Sequence, residues 1–224
     1  MVAPRALTVL LLTGILLTSP AVDRPSSAAE CIVLDDFSRG RVGEFPPDWK
    51  TRKEEGRPVY SIREEDGRRF LHAESRGLGI QAGREVVWDL GTYPILVWSW
   101  RPVEFPKGSD ERKSSRNDSA VSVYALFPGS FGTVKSVKYI WSRIVPIGTR
   151  LSSSAGSTQV RVLRSGIDQS GQWIEERADV RLDYQKYFGE DQVPKPAGIA
   201  VLTDSDDTRS TAQGDYADFR ICKP

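Results

Sequence analysis

DSAVSVYALF, residues 118–127, alternates between two faces. Val121, Val123, Ala125 and Phe127 fall on one side of an extended chain, and Ser122 and Tyr124 on the other. That period of two predicts a strand with one face in a core. The same texture extends outward in both directions. Cys31–Phe37, Val59–Arg63, Arg69–Ser75, Glu85–Leu90 and Ile95–Arg101 read as strands before it. Ser136–Trp141, Thr158–Ser165, Trp173–Arg181, Gly198–Thr203 and Tyr216–Cys222 read as strands after it. They are short, rich in Val, Ile, Tyr and Trp, and separated by clusters of Gly, Pro, Asp and Ser. Leu182–Phe188 is the one brief helical segment, ending at Gly189. The pattern predicts an all-β, antiparallel sandwich rather than alternating βαβ units. Two long connections, 102–118 and 146–157, carry too few apolar residues to pack on their own and read as surface loops.

Residues 1–29 read as a secretory signal: Arg5 in the n-region, an apolar stretch over residues 7–17, and Ser27-Ala28-Ala29 before a cut ahead of Glu30. A cut near Ala21 and an uncleaved anchor are the alternatives, although the apolar run is short of the ~20 residues a span needs. Residues 30–224 then form a single domain in the periplasm or outside the cell. Without Arg5, Arg24 and Asp23, Lys+Arg falls from 31 to 29 and Asp+Glu from 30 to 29. The net charge is then zero, and no polybasic block is present, which argues against nucleic acid as a partner. No later stretch is long and apolar enough to span a membrane.

The two ends of this domain mirror each other. Cys31-Ile32-Val33-Leu34-Asp35 laid antiparallel to Asp218-Phe219-Arg220-Ile221-Cys222 pairs cysteine with cysteine, Ile32 with Ile221, Leu34 with Phe219, and Asp35 with Asp218. An oxidising compartment makes a Cys31–Cys222 disulfide the natural reading, with two free thiols as the alternative. Closing so long a loop contributes roughly 4–5 kcal/mol in the chain-entropy model. Two cysteines and one histidine argue against a zinc site.

Several segments, in order, resemble the domain-of-unknown-function 3047 family of bacterial proteins. They are DDFS (35–38) with PDW (47–49), PILVWSWR (94–101), DSAVSVYALF (118–127), KYIW (138–141), and IAVLTDSD (199–206) with GDYADF (214–219). The resemblance covers nearly all of residues 30–224 and implies no activity, since the family has none assigned. The DDF opening, its Pro-Asp-Trp turn and the closing aromatic-Asp strand are also similar to jelly-roll carbohydrate-binding modules. That likeness implies a jelly roll of the galactose-binding or concanavalin-like type, and a possible structural calcium between the first and last strands.

Three groups of residues offer chemistry. Asp35 and Asp218, as cross-strand neighbours, need a cation, an arginine or a raised pKa; calcium and simple exposure are both open. Asp204 and Asp206 follow an apolar strand and point the same way. They read as a metal or ligand site, or as a polar loop of Asx turns without EF-hand spacing. Trp98, Trp100, Tyr124, Tyr139 and Trp141, with Arg101, read either as a platform for a glycan or as core. No catalytic residue is assigned. His72 would have to serve any Ser-His-Asp arrangement, and no nucleophile elbow accompanies it. These readings favour a non-catalytic module that binds a glycan or envelope polysaccharide. The alternatives are a glycosidase or lyase on the same scaffold, or a structural envelope protein.

Overall fold

The computed structural model describes Met1 and residues 30–224. The expected signal segment, Met1 apart, lies outside the described residues. In chain order the strands are β1 (Cys31–Asp35), β2 (Lys50–Thr51), β3 (Tyr60–Glu65), β4 (Arg68–Arg76), β5 (Ala82–Glu85), β6 (Ile95–Glu104), β7 (Val121–Pro128), β8 (Val134–Ser142), β9 (Arg150–Ser152), β10 (Thr158–Ser165), β11 (Ile174–Asp179), β12 (Gly198–Leu202) and β13 (Thr211–Cys222). The helix α1 (Val180–Phe188) follows β11 directly.

Two sheets face each other. The first runs β11-β6-β13-β4-β3, with β1 also on β13; the second runs β2-β5-β12-β7-β8-β10-β9. Every pairing is antiparallel except β8 with β10. This is the expected all-β sandwich with one short helix. The core lies between the sheets. Val121, Val123, Ala125 and Phe127 of β7 face it, as their alternation predicts. The tryptophans of β6 meet the aromatics of β8: Trp98 and Tyr139 have ring centroids 5.3 Å apart, and Trp100 and Trp141 6.2 Å.

The disulfide joins Cys31 to Cys222, whose Cα atoms are 4.1 Å apart. The mirrored register holds from Cys31 with Cys222 to Val33 with Arg220 and then breaks, because Asp35 rather than Leu34 pairs with Phe219. Leu34 is the extra residue, a bulge in β1; Asp218, with φ 55°, lies in a separate irregularity of β13 against β6. Leu34, Phe219 and Ile221 are buried as expected, whereas Ile32 is exposed.

Other boundaries move for local reasons. The strand expected at Glu85–Leu90 lies earlier, at Ala82–Glu85, because its partner β12 begins only at Gly198, after Pro194 and Pro196. Val86 N–H still donates to Ala197 O, and then Trp88 and Leu90 turn into the core. The helix begins two residues before Leu182, where the Asp179 carboxylate accepts the Leu182 N–H at 2.8 Å. It ends at Gly189 with φ 69°.

Candidate functional site on the outer face of the second sheet

Side chains that point away from the core on the second sheet form a row across five strands. Lys50 of β2 faces Gly83 of β5; Gly83 faces Ala200 of β12; Ala200 faces Tyr124 of β7; and Tyr124 faces Lys138 of β8. The Lys50 end is open to water, its side chain 77% exposed. The Lys138 end is buried, at 5%.

The connection between β6 and β7 covers the buried end. Instead of apolar residues it brings Asp110, Glu111 and Asp118, all buried. Glu111 accepts from the Ser142 hydroxyl at 2.5 Å and the Ser119 hydroxyl at 3.1 Å. Asp204, just past β12, accepts from Ser119 N–H at 2.7 Å. Asp118 accepts from Thr208 N–H at 2.7 Å and from its hydroxyl at 2.5 Å. The Lys138 ammonium stands 5.4 Å from the Tyr124 ring centroid.

Burial decides the protonation here. It pushes Asp204 up to about 7, against the pull of Lys138 and the Ser119 amide. It also raises Glu111, which its two serine donors only partly offset. Burial acts on Lys138 in the opposite sense, but the Tyr124 hydroxyl and the Asp204 and Glu111 carboxyls outweigh it and hold the ammonium charged. Asp110, by contrast, is held down to about 2 by the Arg112 guanidinium.

Carboxylate oxygens of Asp118, Asp204 and Asp206 lie within 4.8 Å of one another. Asp204 and Asp206 therefore do come together, with Asp118 as a third member. The donors are hard enough for calcium. However, Asp118 already serves the Asp207 and Thr208 amides and the Thr208 hydroxyl, and Lys138 supplies a positive charge beside Asp204.

At the open end the row becomes a groove of about 340 Å³. Gly83, Gly198 and Ala200 floor it, and Lys50, Arg52 and Arg84 stand around it. Gly198 is required there, since a Cβ would sit 2.5 Å from the Arg84 carbonyl oxygen. Lys50 pairs with Glu85, and Arg84 with Asp35. Arg52 makes no ion pair among the described residues.

The other residues singled out from the sequence fall elsewhere. Trp98, Trp100, Tyr139 and Trp141 are at most 1% exposed and fill the core, so they offer no platform. Alternation placed Trp98 with Trp100, and Tyr139 with Trp141, correctly; the shared face is simply the inner one. Tyr124 is on the outer face but is buried, packed with Ala200 and Leu202 and covered by the Lys138 ammonium. Arg101 points from the opposite side of β6, outside the first sheet, where it pairs with Asp215 and Glu65.

Asp35 and Asp218 are not neighbours either. Asp35 accepts from Trp49 Nε1 at 2.8 Å and pairs with Arg84 at 2.9 Å, while Asp218 pairs with Arg68. Arginine satisfies both, and the bulge separates them. Lys138, Glu111 and Arg52 were missed. Lys138 had a signal, a lone lysine in an apolar strand between Val137 and Tyr139.

A family model described as "Protein of unknown function (DUF3047)" matches residues 47–220. No curated protein sequence matches the chain. Among solved structures, the chain is similar to a carbohydrate-binding module, TmCBM61, in complex with β-1,4-galactotriose. The identity is 10%, the coverage 81% of this chain and 92% of that one, and the TM-score 0.39. It is also similar to the family 11 xylanase from Neocallimastix patriciarum, with 10% identity, 88% and 100% coverage, and a TM-score of 0.41. A mannan-recognising module, TmCBM27, gives 13% identity, 88% and 99% coverage, and a TM-score of 0.37.

Proposed function

We propose that this chain, which belongs to the DUF3047 family of proteins of unknown function, is a non-catalytic module that binds an acidic glycan in the groove of the second sheet. The observation that carries this reading is Arg52: a guanidinium with no ion pair among the described residues, on the wall of a groove whose floor is glycine and alanine. Small floor residues let a flat ring lie close to the strand backbones. A guanidinium matches a carboxylate or sulfate in a two-pronged geometry. The groove's volume is in the range of small-ligand sites.

Binding rather than catalysis is favoured because Asp204, Glu111, Tyr124 and Lys138 do not line the groove. One observation supports the enzymatic alternative, a carboxyl poised near neutrality at Asp204. The disulfide fits an oxidising compartment, the periplasm or the exterior, and among the described residues no helix is long and apolar enough to cross a membrane.

Affinity electrophoresis in gels containing polygalacturonate or alginate tests the proposal. The chain is retarded, and Arg52→Glu lowers the affinity at least fivefold without changing the melting temperature. No retardation on any acidic polysaccharide sinks the proposal. Release of reducing ends or of an unsaturated product from the same polymers instead selects the enzymatic alternative.

A further inference from the structure

The outer face of the first sheet carries a second row, independent of the groove. Ser61 of β3 faces His72 of β4, His72 faces Asp215 of β13, and Asp215 faces Arg101 of β6. His72 Nδ1 lies 2.7 Å from Asp215 Oδ1, and Arg101 Nε donates to Asp215 Oδ2 at 2.8 Å. The His72 and Asp215 side chains are only 6% and 2% exposed. Asp215 beside the Arg101 guanidinium is a carboxylate, which accepts only, so Nδ1 carries the proton. In the neutral ring Nε2 is then an acceptor, and among the described residues it has no partner although it is buried.

An unsatisfied buried acceptor is destabilising and calls for an explanation. Ser61, the next residue in the row, does not reach it. A hydroxyl of a bound molecule is a donor that suits Nε2. A cavity of about 450 Å³ lies at this place. His72 and Asp215 line it with Arg63, Arg101 and Gln213 as donors and Phe70 as an apolar wall. Arg101 is neutralised by Asp215 and Glu65, so the site holds little excess charge. Interleaved donors and acceptors against an aromatic wall fit a neutral polyhydroxylated ring.

We propose that this face is a second carbohydrate site, in which a hydroxyl of a neutral sugar donates to His72 Nε2. The choice of ligand class rests on the glycan reading above; the geometry of the site does not. The module would then hold two sugar chains, one on each face of the sandwich.

His72 is the single histidine of the chain, so its ring nitrogens give unambiguous ¹⁵N resonances in the full-length protein. Cellotetraose, xylotetraose and maltotetraose serve as probes. The free protein shows the Nδ1–H tautomer, and at least one probe moves the Nε2 resonance saturably. His72→Phe, or the exposed Arg63→Ala if the former does not fold, weakens that probe at least tenfold by calorimetry. The proposal is overturned if no probe moves Nε2 or if the folded variant binds unchanged. It is also overturned if Arg52→Glu abolishes the Nε2 response, which would assign the sugar to the groove. Failure of the groove reading shows separately, as loss of binding to acidic polymers alone.

Discussion

Asp204 is the residue whose burial has the clearest readout. Its carboxyl is pushed up to about 7 in the folded chain, against about 3.9 for an unfolded aspartate. Between those values the folded state keeps a proton that the unfolded state has released. Its contribution to stability is therefore complete below pH ~4 and is lost as the pH rises towards 7. Asp204→Asn keeps an oxygen for the Ser119 amide and removes the titration. Melting temperatures between pH 4 and 8 should decline less steeply in the variant than in the parent chain, and equal slopes would refute the assignment. Little of this was legible in the sequence. Asp204 and Asp206 stood out as acids after an apolar strand, but what they meet is set by Lys138 and Asp118, more than sixty residues away. Local spacing cannot report a partner that arrives through the fold.

Strands were easier to read than their surroundings. Alternation in residues 121–127 placed the inner face of β7 correctly, and the mirrored ends paired β1 with β13. A period of two says which side chains share a face, not which face is inside. Trp98 and Trp100 therefore read either as platform or as core. Nor does it foresee a bulge, and the one at Leu34 separates the two aspartates that a straight register joins. The element contact that bears most directly on the sandwich is at Gly214, where β13 approaches β7 of the other sheet. A Cβ there would stand 2.3 Å from Val121 Cγ1 and 2.7 Å from the Ala120 oxygen. Gly214→Ala should destabilise the protein by about 1–3 kcal/mol, read from urea midpoints at constant m. A loss below ~0.5 kcal/mol would show that Val121 and the Ala120 carbonyl give way to a methyl group without strain.

The whole molecule is tied at one point. The bridge between Cys31 and Cys222 spans a sequence separation of 191 residues, so it restricts nearly all of the unfolded ensemble. In the chain-entropy model that is worth up to about 5 kcal/mol. Replacing both cysteines with serine should lower the denaturation free energy by several kcal/mol while leaving the far-UV spectrum intact; an unchanged midpoint would show that the unfolded chain stays compact without the bridge. The same feature bears on connectivity. With the Cα atoms of its two ends 4.1 Å apart, the fold is nearly a closed ring, and its start is an arbitrary place to cut it. A short peptide across the gap, with new termini opened at the exposed Asp66-Gly67 turn between β3 and β4, gives a circular permutant with every strand pairing retained. The ends also leave side by side, so the same domain can sit within a loop of another protein without parting the host's two segments.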